Sequence, residues 1–131
     1  VTLSEVHFHE VGAVDSIVDV IAAAVCLDNL NVDEVLVSPL AEGYGTVRCQ
    51  HGLLSVPVPA VLNIAETFSL VLNPIPVEGE LVTPTGAAFV AACGRMGALP
   101  AAYRTVATGY GAGKRKYPGA RGYLTGMLIE E

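Results

Sequence analysis

The longest uninterrupted apolar run of the sequence, Val20 to Leu27, places the strongest constraint on the fold. It is far shorter than the roughly 20 residues that cross a bilayer, so it predicts a helix of a folded domain and no membrane span. Ser16 and Asp19 precede it with the S-x-x-D spacing that is typical of a helix start. The polar stretch that follows, up to Asn31, predicts its end.

Short extended segments flank this helix. Glu5 to Glu10 alternates and stops at Gly12, which predicts a strand and a turn. Glu34 to Leu40 carries three consecutive apolar residues and predicts a buried strand. A strand, a helix and a second strand in this order imply a parallel pair with a right-handed crossover.

Glycine and proline divide the rest of the chain into short elements. The predicted elements are a hairpin (Thr46 to Gln50 and Leu53 to Val58, turning at His51-Gly52), a helix from Pro59 to about Phe68, a loop at Asn73-Pro74 and Pro76, a short strand at Glu80 to Val82, a helix from Thr83-Pro84 to Gly94, and a closing antiparallel pair (Tyr103 to Tyr110 and Tyr123 to Ile129). Together they predict a single α/β domain over residues 1–131, with a mixed sheet, about three helices and two layers.

The composition indicates contact with a partner protein and argues against nucleic acid. Hydrophobic residues make up 52% of the chain and charged residues 15%, so we expect part of the surface to be covered by a partner. A net charge of -6 repels a phosphate backbone. Lys114-Arg115-Lys116 and Arg121 form a local basic patch, which is either a solvated loop or an anion contact.

The cysteines and the start of the sequence indicate the cellular compartment of the protein. The three cysteines are odd in number and form no C-x-x-C pair, which favours reduced thiols over a disulfide framework or a structural zinc site. The chain begins at Val1 and shows no export-signal pattern. We therefore expect a cytoplasmic protein.

The three histidines are candidate metal ligands. His7 and His9 are two residues apart and would share one face of the predicted strand, and imidazole is a common ligand of transition metals. His51 repeats this spacing with Cys49, which also suits a Cys/His nucleophile pair. The alternatives are ordinary hydrogen-bonded histidines, a buried thiol and a turn residue before Gly52.

Two carboxylates at the start of the predicted helix are candidate catalytic groups. Asp15 and Asp19 lie one helical turn apart, where they could face His7 and His9 across the turn and orient an imidazole or bind the metal. The alternative is that both cap the helix and complement its positive end, which explains Asp15 better than Asp19, because Asp19 lies deeper in the apolar helix.

Thr83 to Gly86 would form a helix N-terminus with free backbone donors, which suits an anion. The glycine-rich segment Gly109 to Gly113 leads into Lys114 but fits no nucleotide-binding spacing. The candidate cofactor-binding residues are therefore Thr83, Thr85, Gly86 and Lys114, with ordinary helix capping as the alternative for the first three.

Several separated blocks are similar in order and spacing to one known family. They are His7 to Asp19, Gly43-Tyr44-Gly45 through His51-Gly52, Val56 to Ala60, Gly79 to Ala88, and Gly109 to Gly113. In these blocks the chain resembles the LarC nickel-insertion family, as an internal piece of its N-terminal half.

The resemblance implies a nickel chelatase, formally a lyase. It would insert nickel into pyridinium-3,5-bisthiocarboxylic acid mononucleotide, consuming CTP, to make the nickel-pincer cofactor of lactate racemase. CTP and its divalent cation would be bound by a region outside this chain. The implied partners are that mononucleotide, the remainder of the LarC protein and further copies in a homo-oligomer.

Within this interpretation, His7, His9 and His51 hold nickel, while Asp15 and Asp19 set their orientation. Two other functions stay open. One is a metal-dependent hydrolase with a metal-bound water beside Asp15 or Glu10. The other is a non-catalytic scaffold domain of a larger nucleotide-binding protein.

Overall fold

The computed structural model describes residues 13–49 and 52–131. Within them the chain forms three helices and eight strands, which confirms the α/β class and the number of helices. The predicted strand from Glu5 to Glu10 lies outside the described residues. The helices are α1 (Ala13–Leu30), α2 (Pro59–Phe68) and α3 (Pro84–Cys93), and the strands are β1 (Leu36–Val37), β2 (Leu40–Tyr44), β3 (Thr46–Cys49), β4 (Gly52–Ser55), β5 (Leu72–Glu78), β6 (Arg95–Met96), β7 (Arg104–Ala112) and β8 (Tyr123–Glu130).

The described strands pair in four two-stranded sheets, both parallel and antiparallel. β1 pairs with β6 and β2 with β5 in parallel, so each of these sheets joins strands that are far apart in the sequence. β3 pairs with β4 and β7 with β8 in antiparallel fashion, which confirms the two predicted hairpins.

The described part of α1 begins at Ala13, earlier than predicted. Ser16 and Asp19 therefore lie inside the helix, and their assignment as its capping residues is wrong. Ala13, Val14 and Asp15, directly before Ser16, include no proline or glycine that would interrupt a helix at this point. The predicted end is confirmed: Asn31 has a left-handed φ of 48° and donates its N–H to the Asp28 carbonyl at 3.1 Å.

One face of α1 is apolar and exposed. Its residues follow the i, i+3, i+4, i+7 spacing of a helix stripe, and each is between 53% and 72% exposed. They are Val14, Ile17, Val18, Ile21 and Val25. No described helix is long and apolar enough to cross a membrane.

The predicted loop at Asn73-Pro74 and Pro76 is wrong, because both prolines lie in β5. Among the described residues β5 pairs with β2 on one edge, and its other edge tolerates a residue without an N–H. Pro74 stands opposite Glu42 of β2 in this sheet.

Two strand boundaries also differ from the prediction. Glu34 to Leu40 is divided between the short β1 and the beginning of β2, with Ser38-Pro39 between them. Glu80 to Val82 is not part of a strand; it forms the connection from β5 to α3. Pro39 accounts for the first difference, because it has no N–H for a ladder. The second arises because the N–H groups of Leu81 and Val82 donate to the Glu42 side chain. Hydrophobic periodicity indicates neither.

The core lies where α2 and α3 pack against the β2–β5 and β3–β4 sheets. Val61 and Ala87 are fully buried, and Val58 and Val82 are nearly so. Partly buried residues surround them: Leu40, Val47, Leu54, Ile64, Leu70 and Leu72. Ala87 belongs to the first turns of α3, so the core holds the start of this helix beside β2.

The backbones of β2 and β5 approach closely at Gly43. A Cβ at Gly43 would lie 2.1 Å from the Gly79 carbonyl oxygen and 2.6 Å from that of Val77, which are distances that no side chain can accept. Gly79 itself has a φ of 124°, and a Cβ there would lie 2.8 Å from the Tyr117 ring. Glycine at both positions brings β2, β5 and the Tyr117 loop together.

Candidate functional site

A cavity of about 630 Å³ lies between the β5–α3 connection and the loop that joins β7 to β8. The loop lines it with three cationic residues, Lys114, Arg115 and Arg121. The connection contributes Glu80 and Thr83, the residue before α3. The described part of the cavity therefore carries three cations and one carboxylate, a combination that suits an anionic ligand.

Thr83 caps α3, as predicted. Its Oγ1 accepts the N–H of Gly86 at 3.2 Å, and its carbonyl accepts that of Ala87 at 2.9 Å. Because Oγ1 acts as the acceptor in this bond, the hydroxyl hydrogen of Thr83 is free to be donated to a ligand. Pro84 has no N–H, and the Thr85 N–H belongs to the first turn, where no acceptor exists within the helix.

A buried carboxylate holds the connection against β2. Glu42 is 1% exposed, and its Oε1 accepts three backbone N–H groups, from Gly43 at 2.8 Å, Leu81 at 2.9 Å and Val82 at 3.2 Å. Its Oε2 has no hydrogen-bond partner within the described part of the chain. Glu42 thus fixes the backbone that leads into Thr83.

The basic loop is attached to the same connection by two side chains. Tyr117 donates its hydroxyl to the Glu80 carbonyl at 2.6 Å, and Arg115 Nη1 lies 3.5 Å from Glu80 Oε2. The Tyr117 carbonyl accepts the Ala120 N–H at 3.1 Å, which closes a turn in the loop. Glu80 is therefore the point at which the two sides of the cavity meet.

The Glu80 side chain is only 13% exposed, and this burial raises the pKa of its carboxyl above the ordinary value. The Arg115 guanidinium acts in the opposite direction, and the charge of Glu42 adds to the rise. The ionised form of Glu80 therefore depends on the nearby arginine.

The structure brings some of the predicted cofactor-binding residues together. Thr83 and Lys114 line the cavity from opposite sides, while Thr85 and Gly86 lie in the first turn of α3 and are not among its described lining residues. Arg115 and Arg121, which the sequence marked only as a basic patch, line it as well.

The predicted catalytic carboxylates are elsewhere. Asp15 and Asp19 are exposed on α1, and neither belongs to the described lining of the cavity. Asp15 lies in the first turn, where a negative charge complements the helix dipole. Their roles in catalysis stay a prediction.

The predicted metal ligands His7, His9 and His51 lie outside the described residues. Within residues 13–49 and 52–131, no group of three or more histidine, cysteine, aspartate or glutamate side chains is placed to hold a metal ion. The metal site therefore stays a prediction from the sequence.

Sequence reasoning missed Glu42, Glu80 and Tyr117. Glu42 is a single carboxylate between apolar residues and Gly43, and such isolation is the one local signal of a buried acid. Glu80 and Tyr117 are 37 residues apart and show no signal of their contact in the sequence.

The family described as Nickel insertion protein matches the chain over residues 1–131. The chain belongs to the Nickel insertion protein family. This confirms the resemblance that the sequence blocks indicate. It also places the cavity and its basic loop within the segment that matches the Nickel insertion protein family.

Similar proteins in bacteria carry a more specific name, pyridinium-3,5-bisthiocarboxylic acid mononucleotide nickel insertion protein. One from Alkaliphilus metalliredigens is 54% identical over 131 residues, covering 100% of this chain and 31% of the relative. One from Akkermansia muciniphila is 49% identical, covering 98% and 31%, and one from Geobacillus kaustophilus is 43% identical, covering 100% and 31%.

The chain thus spans about a third of the length of these Nickel insertion protein relatives. No solved structure matches it.

Proposed function

We propose that this chain is part of a nickel chelatase that inserts nickel into pyridinium-3,5-bisthiocarboxylic acid mononucleotide, with nickel as a substrate. The observation that carries the proposal is the family match over all 131 residues. The cavity supports it, because three cations and a helix N-terminus suit a ligand with a phosphate and two acidic groups.

The phosphate of the mononucleotide would bind between the basic loop and the start of α3. Lys114 and Arg121 supply positive charge from one side, and the Thr83 hydroxyl supplies a donor from the other. The Thr85 N–H, in the first turn of α3 outside the described lining, would add a donor at the helix start. Gly86 contributes indirectly, since its N–H holds the Thr83 hydroxyl in place. The cofactor-binding set therefore extends from the predicted residues to Arg121.

Nickel would reach the mononucleotide from transient ligands. We assign His7, His9 and His51 as these ligands, with Asp15 and Asp19 setting the orientation of the imidazoles. The two thiocarboxylates of the substrate would take nickel from them, because sulfur is a softer ligand than imidazole nitrogen. This transfer requires weak and exchangeable binding by the protein.

The remaining features concern the whole protein. We propose that CTP and a divalent cation are bound by the part of the full-length protein that this chain does not include. The reaction is classed as a lyase, takes place in the cytoplasm and supplies the nickel-pincer cofactor of lactate racemase. Residues 1–131 act as one domain of that protein.

The apolar face of α1 would contact another part of the assembly. The five side chains of this face are each more than half exposed, although apolar side chains of this size are usually buried. They are Val14, Ile17, Val18, Ile21 and Val25. The relatives are about three times as long as this chain, so the remainder of the polypeptide is available to cover this face. We also propose that copies of the full-length protein associate into a homo-oligomer.

Calorimetric titration with nickel tests the histidine ligands. We expect the protein to bind nickel and a His7→Ala/His9→Ala variant to lose most of this binding, because the two strongest candidate ligands are absent. Asp28→Ala, which removes an exposed carboxylate at the far end of α1, serves as the matched control and should bind like the wild type.

The same measurements separate the proposal from its alternatives. Nickel insertion requires that the full-length His7→Ala/His9→Ala variant loses transfer of nickel to the mononucleotide. If that variant transfers nickel at the wild-type rate, the histidine assignment is wrong. If the protein binds metal and hydrolyses a substrate but transfers no nickel, a metal-dependent hydrolase is favoured. If it binds neither nickel, zinc nor CTP, a non-catalytic scaffold is favoured.

A further inference from the structure

The wall of the cavity includes a carboxylate, that of Glu80. Glu80 Oε2 lies 3.5 Å from Arg115 Nη1, so one of the three cations that line the cavity is paired within the chain. The two partners differ in exposure: 13% of the Glu80 side chain is exposed, against 68% of that of Arg115. The arginine is therefore accessible to a ligand, and the carboxylate is held in the wall.

Several titratable groups face Glu80 from the elements around it. Glu42 approaches from β2, where its Oε1 accepts the N–H of Leu81, the residue after Glu80. Arg115 and Tyr117 approach from the loop between β7 and β8. Lys114, Arg121 and Tyr123 line the same cavity.

This environment makes the charge of Glu80 conditional. Burial raises the pKa of the Glu80 carboxyl, Arg115 lowers it, and Glu42 adds a further rise. Any event that draws Arg115 away, or that brings a second negative charge near Glu80, shifts its equilibrium toward the protonated form.

We infer that Glu80 controls anion binding in this cavity: an incoming phosphate monoester displaces its carboxylate from Arg115, and the displaced carboxylate takes up a proton from solvent. Arg115 stays charged throughout and exchanges one anionic partner for another. No covalent bond changes, and the proton comes from the buffer. The inference rests on the phosphate site of the proposed function and adds its regulation by pH.

Two consequences follow for binding. First, affinity for an anion of constant charge falls as the pH rises through the range in which Glu80 of the unliganded protein loses its proton, because the ionised carboxylate competes for Arg115. Second, neutralising Glu80 without changing its shape releases Arg115 permanently. The Glu80→Gln variant then binds an anion more tightly and without taking up a proton.

Calorimetry measures both effects on the intact protein. The first probe is nicotinic acid mononucleotide, a pyridinium carboxylate with a phosphate monoester. The second is inorganic sulfate, whose two charges do not change in the range used, about pH 5 to 8. Titration in two buffers that differ in ionisation enthalpy reports the number of protons taken up on binding.

We expect the wild type to take up a fraction of a proton on binding sulfate, whose own charge does not change; the mononucleotide probe reports affinity alone, because its phosphate titrates in the same range. Glu80→Gln should bind sulfate about tenfold more tightly near neutral pH, equivalent to about 1.4 kcal/mol, and should take up no proton. Glu78→Gln changes an exposed carboxylate two residues earlier, at the end of β5, and should leave affinity and proton uptake unchanged.

The outcomes distinguish this inference from the phosphate site itself. If neither the wild type nor Glu80→Gln binds either probe, the site is wrong and the inference fails with it. If both bind with equal affinity and no proton uptake, the site stands and the role of Glu80 is overturned. The wild-type proton uptake decides the matter even where Glu80→Gln does not fold.

Discussion

Tyr117 and Glu80 join the two sides of the cavity through a single hydrogen bond, in which the Tyr117 hydroxyl donates to the Glu80 carbonyl at 2.6 Å. The Tyr117 ring also lies against Gly79, where a Cβ would be only 2.8 Å away. The position of the basic loop therefore depends on Tyr117 as well as on the pairing of Arg115 with the Glu80 carboxylate.

Tyr117→Phe should loosen the basic loop while the ring stays in place. The loss of one hydrogen bond is expected to cost about 1 kcal/mol of unfolding free energy. Sulfate affinity should fall several-fold, because Lys114 and Arg121 are no longer held beside α3. Chemical denaturation and calorimetry measure the two effects. Tyr103→Phe, at a partly exposed position before β7, is the control, and an equal loss in both variants would contradict this role.

Glu42→Ala should destabilise the protein strongly. Three backbone N–H groups lose their acceptor, and those of Gly43 and Val82 are buried, so we expect a loss on the order of 3 kcal/mol in unfolding free energy. Urea denaturation measures it. Glu66→Ala removes an exposed carboxylate from α2 and should change stability by less than about 0.5 kcal/mol. Similar stability of the two variants would show that the Glu42 carboxylate does not hold the β5–α3 connection against β2.

Gly43→Ala should disrupt the pairing of β2 with β5. The new methyl group would meet backbone oxygens, which cannot move aside as a flexible side chain can, and we expect a loss of at least about 2 kcal/mol. Thermal unfolding monitored by circular dichroism measures it. Gly109→Ala in β7 meets nothing within 4 Å and provides the comparison. If Gly43→Ala leaves the unfolding free energy unchanged, the backbones of β2 and β5 are further apart than the structure places them.

The pH dependence of stability should reveal the Glu80 carboxyl. Its pKa is raised in the folded protein, so the folded state binds more protons than the unfolded state between the unfolded pKa and the folded one. The unfolding free energy should therefore fall as the pH rises through this window and level off above it. Urea denaturation at a series of pH values should show this slope in the wild type and a flatter profile in Glu80→Gln.

Glu34 provides the opposite case for comparison. Its hydrogen bond with Arg95 lowers the pKa of the Glu34 carboxyl, so its contribution is present above the unfolded pKa and lost as the pH falls through the folded one. Because both side chains are exposed, the effect should be small. Glu34→Gln should change the profile in the opposite direction from Glu80→Gln, and the same direction in both would contradict these assignments.

The elements that formed as predicted have local causes. Pro59 begins α2 and Thr83-Pro84 begins α3, because proline needs no hydrogen-bond donor in a first turn and threonine caps it. The turn before Leu53 and the alternating runs of the tail likewise specify their hairpins. Where a prediction failed, as at Pro74 in β5, pairing with the distant strand β2 placed the proline in a ladder that its local sequence does not indicate.

By itself, the sequence determined the α/β class, the starts of α2 and α3, the basic patch and membership of the Nickel insertion protein family, since each is carried by neighbouring residues or by blocks in order. Only the tertiary structure decided that Glu42 holds the connection before α3 and that Glu80 pairs with Arg115. The reason is physical: a hydrogen bond or a pKa shift between residues far apart in the chain depends on the burial and distance that folding creates, and no local pattern encodes either.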